Sequence, residues 1–249
     1  MIKVSVITAV YNRSRTVGQA LDSVLGQRHG AVESIVIDGG STDGTLDVIG
    51  RYRERLGTVV SERDNGIYDA LNKGLGMATG DVVGFMHADD VYADAEVLSD
   101  VAARFADPAV DAVYGDLVYV DATDTDRIVR LWTAGGFEPS LLRRGWMPPH
   151  PTLYVRRTRY QQLGGFDTRY RIAADYDHMV RLLSTPGIQV AYVPRVLVRM
   201  RVGGVSNRSP RTVWRKSMED LDIIRRHGLG GMGTLMIKNL GKLHQFWKR

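Results

Sequence analysis

Two adjacent aspartates, Asp89 and Asp90, end the apolar run 82–88 (VVGFMHA). Neighbouring carboxylates repel unless something positive sits between them. A hard divalent cation suits that place, because Mg²⁺-type ions take oxygen ligands and bridge to phosphates. A plain strand-to-turn junction also favours aspartate, so the pair gains meaning only from its surroundings. Three further polar clusters stand behind apolar runs: Tyr11-Asn12, the stretch 38–43 opened by Asp38, and the stretch 62–65 that contains Asp64 and Asn65. The first run is followed by YNRSRT, with no G-x-G-x-x-G and no Walker lysine loop, so a phosphate would have to be met by other means. A metal held by Asp89 and Asp90 would meet it.

The elements that must position these residues follow from periodicity. Residues 3–10, 34–37, 58–61 and 82–88 read as strands. Between them, Val17, Ala20, Leu21, Val24 and Leu25 share a helical face, with Ser14 or Thr16 as its cap. Leu46, Ile49, Tyr52 and Leu56 share a second face, and 67–78 forms a third helix. Alternating strand and helix predicts an α/β fold, a parallel sheet with helices on both faces. Ligands of such sheets bind beyond the carboxyl ends of the strands, where all four polar clusters fall. After a helix over 94–105 the alternation stops. Residues 112–121 and 128–133 read as an antiparallel pair and 137–144 as a short helix. Strands are expected at 152–155, 190–193 and 196–201, and helices at 158–163 and from 173 onward, the last with Met179, Leu182 and Leu183 inward.

Composition bounds the class. The 249 residues include 44% hydrophobic and 24% charged side chains and no cysteine, the profile of a globular protein without disulfides or thiolate metal sites. No apolar run reaches the roughly 18 residues of a spanning helix, and the amino terminus lacks a signal-peptide pattern. A cytoplasmic protein, or one lying on the inner membrane surface, is expected. The net charge of +5 is uneven: residues 195–249 carry 13 Lys/Arg and 3 Asp/Glu, whereas residues 1–194 carry 20 and 25. Nucleic acid and an anionic membrane are both partners for a basic tail. Here Leu229, Met232, Met236, Leu240, Leu243 and Trp247 share a helical face, with Lys238 and Lys242 opposite. That pattern selects a membrane surface, reached through residues 229–249, over nucleic acid. A helix packed back on the domain is the competing arrangement.

Order and spacing of five stretches then match a known family. TAVYNR (8–13), IVIDGGSTDGT (35–45), DNGIYDALNKGLGMATGD (64–81), HADD (87–90) and GGFDTRYRIAADYD (164–177) resemble the inverting glycosyltransferases of family 2, which have the GT-A fold. The resemblance spans roughly residues 3–206. It implies a GT-A domain over 1–207, with a nucleotide-sugar half (1–106) and an acceptor half (107–207), followed by a basic helical tail (208–249). It implies that Ala9, Tyr11 and Asn12 surround the nucleoside, and that Asp38 accepts from the base, usually uracil. Asp64, Asn65, Asp69 and Lys73 would border the donor, together with Ala88. Asp89 and Asp90 would hold Mn²⁺ or Mg²⁺, and Asp175 would be the catalytic base. Chemistry agrees with these roles: a carboxylate makes a strong charge-assisted bond to an imide N–H, a metal supports a diphosphate leaving group, and a carboxylate opening a helix can take the acceptor's proton.

Three departures stand out. His87 replaces the first aspartate of the D-x-D motif, Ala174 stands where many relatives have Glu before the base, and Arg199-Met200-Arg201 replaces a stretch that often supplies a metal-binding histidine. Arg201 is then a candidate to meet the diphosphate directly. His150 and Trp146, in the Pro-rich loop 146–151, are candidate acceptor residues. Asp177, two positions beyond Asp175, points elsewhere on a helix, and Asp43 reads as a helix cap. The implied activity is transfer of a sugar from a nucleotide-diphosphate donor, UDP by preference, to a glycan or lipid-linked acceptor. A non-catalytic sugar or membrane-surface module and a sugar-nucleotide pyrophosphorylase are the alternatives, the latter wanting a Gly-rich Arg/Lys loop after the first strand.

Overall fold

A computed structural model describes residues 1–203 and 210–241. Four parallel strands build one side of a single sheet: β1 (Val4–Val10), β2 (Val32–Asp38), β3 (Thr58–Ser61) and β4 (Val82–Phe85), in the order β3-β2-β1-β4. Helices α1 (Val17–Leu25), α2 (Thr45–Gly50) and α3 (Ile67–Met77) make the crossovers. The strands are nearly continuous runs of buried β-branched residues, as expected of a sheet covered on both faces. Alternation along β1 feeds two cores: Val4 and Val6 pack with α1 and α4 (Val97–Arg104), while Ile7 and Ala9 pack with α3. Two local expectations fail. Thr16 sits at the cap of α1 without a side-chain cap bond. The helix expected to reach Leu56 stops at Gly50, a poor helix former, and continues only as a 3-10 turn at Arg53–Arg55.

Beyond β4 the sheet becomes mixed. Antiparallel β8 (Tyr154–Arg156) is inserted between β4 and β6 (Ala112–Val120). β6 pairs in parallel with β9 (Val190–Arg201) and antiparallel with β7 (Ile128–Trp132), and the two-residue β5 (Val91–Tyr92) closes the far edge on β9. The two short strands expected at 190–201 are one strand with a register shift opposite Gly115 and Asp116. Pro194 lacks the N–H for a regular ladder and accounts for the irregularity. Gly84 is the one β4 position with no room for a side chain, because a β-carbon there would clash with the Tyr154 ring. That ring lies across the strand and donates its hydroxyl to Tyr92 at 2.7 Å.

The chain then adds α5 (Arg157–Leu163) and α6 (Ala174–Leu183), whose Met179, Leu182 and Leu183 are buried as expected. The C-terminal helices α7 (Pro210–Arg226) and α8 (Met232–Gly241) are not a detached tail. Leu221, Ile223, Ile224 and Leu235 join the same core as Ile7, Phe85 and Tyr176. No helix among the described residues is long and apolar enough to cross a membrane. Gly204, Val205, Ser206, Lys242, Leu243, Phe246 and Trp247 lie outside the described residues.

Candidate functional site

Asp38, Tyr11 and the pair Asp89-Asp90 follow the carboxyl ends of β2, β1 and β4, three consecutive strands. Asp38 is fully buried. Its Oδ2 accepts from the Gly40 and Ser41 N–H groups, both at 3.1 Å, and from the Ser61 hydroxyl at 2.6 Å. Its Oδ1 is buried with no partner among the described residues, a costly state that a ligand N–H would relieve. Tyr11 is exposed beside Gly39. Asn12 has a positive φ of 50°, stabilised because its backbone N–H donates to Ser41 Oγ at 2.8 Å and its Oδ1 accepts from Thr42 N–H at 2.9 Å. These two bonds tie the end of β1 to the loop after β2. Ala9 is buried on β1 beneath them. Asp43 accepts from Thr45 and from Ser14 N–H, and the Thr45 hydroxyl bond leads in lowering its pKa to about 2.

Lys73 gathers the next group. Its ammonium bonds Asp64 and lies 2.8 Å from Glu62 and 3.8 Å from Asp69, while Asp69 accepts from Asn65 N–H at 3.0 Å. The carboxylates raise the Lys73 pKa, the Asp64 bond foremost. Lys73 therefore organises the loop 62–65, and Asp64 Oδ2 reaches the space beside Gly39.

Asp90 is buried, with Oδ1 accepting from Arg201 N–H at 3.1 Å and Oδ2 without a partner among the described residues. Burial, then the charge of Asp89, pushes its pKa well above the carboxylate range. Asp89 is partly accessible, 3.7 Å from Arg13, and Ala88 is buried next to it. Arg201 lies beneath this turn: it is buried, its guanidinium donates to the Asp89 carbonyl at 2.5 Å and also bonds Gln19. It braces the carboxylate turn from behind instead of lying open to a ligand. No group of three His, Cys, Asp or Glu able to hold a metal exists among the described residues. The chain offers two carboxylates, Asp89 and Asp90, the second with an oxygen that has no partner among the described residues, which fits a hard ion that completes its shell with diphosphate and water.

Asp175 is in the first turn of α6. The Tyr68 hydroxyl lies 3.0 Å from its Oδ1 and 2.7 Å from the Ile172 carbonyl, sharing its proton between them. His150 is buried, stacked on Phe85 at 5.3 Å, with His87 at 6.2 Å and an unpartnered Nε2. Burial holds it neutral, lowering its pKa to about 4 against the opposing charge of Asp175. His87 is shifted down for the same reason. Trp146 is committed to packing: it stacks on Phe137 at 5.6 Å, and its Nε1 donates to the Ala134 carbonyl at 3.2 Å. Asp177 faces away from Asp175, buried between Arg181 Nε at 2.8 Å and His227 Nε2 at 2.9 Å.

Residues without a local sequence signature complete the site. Glu219 of α7 accepts the N–H groups of Arg171, Ile172 and Ala173 at 3.2, 2.9 and 3.0 Å. It fixes the loop that delivers Asp175. Tyr68 sits inside the stretch DNGIYDALNKG, so its neighbourhood was signposted although its bond to Asp175 was not.

A mixed sheet of this order, with Asp38, Tyr11 and the Asp89-Asp90 pair following three adjacent strands and Asp175 in the first turn of α6, defines a GT-A glycosyltransferase. The family described as Glycosyl transferase family 2 matches residues 5–173, and the chain belongs to that family. It is 32% identical over 208 residues to a PGL/p-HBAD biosynthesis glycosyltransferase of Mycobacterium bovis, covering 82% of this chain and 78% of the relative. Among solved structures, Staphylococcus aureus TarS 1-349 in complex with UDP aligns at a TM-score of 0.68 and 21% identity, covering 95% of this chain and 70% of that one. The mannosyltransferase PcManGT from Pyrobaculum calidifontis, in complex with GDP-Man and Mn²⁺, aligns at 0.67 and 23%, covering 95% and 69%. Against the longer TarS chain the match spans 44% of its length. These likenesses define the fold.

Proposed function

We propose that this enzyme moves one sugar from a nucleotide-diphosphate donor, uridine in the first instance, to a hydroxyl of a glycan or lipid-linked acceptor, inverting the anomeric centre. The observation that carries this reading is the pair of buried, unpartnered carboxylate oxygens, Asp38 Oδ1 and Asp90 Oδ2. An imide N–H suits the first, and charge at the diphosphate suits the second. Asp38 and the exposed Tyr11 bind and orient the base, and the Lys73-ordered loop borders the sugar. Asp89 and Asp90 would hold the divalent ion, which supplies Lewis-acid stabilisation of the leaving diphosphate. Asp175, held by Tyr68 and by its anchored loop, takes the proton of the attacking hydroxyl. The donors of TarS and PcManGT are consistent with a nucleotide-linked sugar, and the mycobacterial relative's name is consistent with biosynthesis.

Incubation with labelled UDP- and GDP-sugars, with and without Mn²⁺, tests the reading. Metal-dependent thermal stabilisation and slow donor hydrolysis to free sugar are expected. Absence of both with every donor sinks it, and consumption of pyrophosphate instead would identify a pyrophosphorylase.

A further inference from the structure

Helix α8 is turned the opposite way from its amphipathic pattern. Its inward face carries Thr234, Leu235 and Lys238, all buried. Lys238 Nζ lies 2.7 Å from Asp220 Oδ1 on α7 and 3.0 Å above the Tyr176 ring. A helix packed back on the domain by its apolar face would place Lys238 towards water and the methionines inward. Instead Met232, Met236, Ile237 and Leu240 are 54, 60, 51 and 63% exposed. Met232, Met236 and Leu240 recur every fourth residue, so they form one stripe along the helix. On α7, Val213, Trp214 and Met218 are exposed as well. Seven of the fifteen exposed large apolar side chains among the described residues thus lie on these two helices, a concentration that marks an interaction surface and not scattered surface hydrophobes.

The charge around the stripe selects the partner. Arg143 and Arg144 are exposed at the end of the 3-10 turn Pro139–Arg144, and the Gly145 that follows lies against the Lys238 side chain. On α7, Arg211 and Arg215 are exposed on the face that carries Trp214 and Met218. A second copy would bring two such basic surfaces together, which electrostatics opposes. An anionic bilayer takes both features at once: Met, Leu, Ile and Trp enter the headgroup boundary, and Lys or Arg near the surface is drawn to the anionic headgroups.

We propose that the outward face of α8, with Arg143 and Arg144 beside it, docks this enzyme on an anionic phospholipid surface. The surface does not depend on which sugar or nucleotide the cleft accepts. Removing the helix would strip Leu235 from the core and leave Asp220 buried without Lys238, so point substitutions are the proper probe. The full chain and its Met236→Glu/Leu240→Glu variant are compared by co-sedimentation with phosphatidylcholine vesicles containing 30% phosphatidylglycerol, at about 0.1 M salt. An Arg143→Gln/Arg144→Gln variant is run alongside, and each variant's melting temperature is measured to verify folding. Wild type is expected to bind anionic vesicles and to bind pure phosphatidylcholine weakly. The glutamate variant should lose at least ~10-fold in partitioning, since each carboxylate opposes burial at the interface, and the glutamine variant should lose binding to anionic vesicles alone. No vesicle binding by wild type, or equal binding by wild type and a folded glutamate variant, overturns the proposal. So does a wild-type dimer in sedimentation velocity that the glutamate pair converts to monomer without changing vesicle binding, because the stripe would then belong to a second copy.

Discussion

The Oε2 atom of Glu219 accepts the backbone N–H of Ala173 at 3.0 Å, two residues before Asp175 and from a helix 46 positions further along the chain. The same oxygen takes Ile172 N–H, and the Tyr68 hydroxyl holds the Ile172 carbonyl from the other side. A peptide gripped at both its polar ends cannot drift, and α6 starts from it. Glu219→Ala is therefore expected to lower kcat by roughly 10- to 100-fold, the effect of misplacing a catalytic group. Donor affinity should change little. Glu219→Gln keeps an accepting oxygen and should recover most of the loss. A variant that loses donor affinity and rate together would point to general unfolding of the half-domain.

Asp175→Asn and Asp177→Asn separate catalysis from structure two residues apart. Asp175→Asn should fold and bind donor normally, yet transfer sugar at least ~100-fold more slowly, the usual contribution of a general base. Asp177→Asn weakens the buried bonds to Arg181 and His227. It should cost about 1–3 kcal/mol of stability in urea titration while keeping most of the rate. The reverse ranking in activity would move the base to Asp177.

Asp89→Asn is expected to weaken donor binding in the presence of Mn²⁺ and to leave metal-free nucleotide binding unchanged, as read by calorimetry. Asp89 is the accessible member of its pair and Asp90 the buried one, whose pKa burial and the charge of Asp89 raise, so Asp90→Asn should leave the fold at least as stable at pH 7 while weakening the same donor binding. Equal donor affinity in wild type and Asp89→Asn, with Mn²⁺ present, would remove the pair from the metal site.

Legibility in the sequence followed distance along the chain. The strands β1, β2 and β4 and their polar ends were readable because each strand and its turn lie within a dozen residues, where periodicity and turn chemistry operate. Asp38 and Asp89-Asp90 came with them. The insertion of β8 between β4 and β6 had no local sign, being a pairing across 70 residues of chain, Val83 with Val155. Glu219 likewise carries no motif, since its partners are 46 to 48 positions away. Arg201 was read from its charge and place in a motif, but its guanidinium is spent on Asp89 and Gln19. Lys238 was legible in part. Helical periodicity placed it opposite Met232, Met236 and Leu240, but its burial against Asp220 on the preceding helix had no local sign.

Acid should loosen this molecule through its buried histidines. His178 stacks on Tyr160 at 4.5 Å, and neither of its nitrogens has a partner among the described residues. Burial, then Arg181 and His150, lowers its pKa well below 6.5, and burial lowers His150 to about 4. The unfolded chain therefore binds more protons than the fold between those values and 6.5. Stability is complete above about pH 6.5 and falls as the pH drops towards 4 and below, with a slope of up to about 1.4 kcal/mol per pH unit for each histidine. Urea midpoints measured from pH 8 to 4.5 check this. His178→Phe should lie within about 1 kcal/mol of wild type at pH 7 and show a shallower decline in acid. A variant with an unchanged slope would exonerate His178.

Glu219, together with the core residues of α7 and α8, has a consequence for recombination. The family match ends at residue 173, a tempting seam for exchanging acceptor halves between relatives. The contacts cross that seam: Glu219 grips residues 171–173, Asp222 takes the Tyr170 hydroxyl at 2.6 Å, and Leu221, Ile223 and Ile224 fill the core beneath. A chimaera cut there inherits the loop before Asp175 from one parent and its Glu219 anchor from the other. Grafts that move residues 164–226 as one cassette carry Asp175 and that anchor from a single parent.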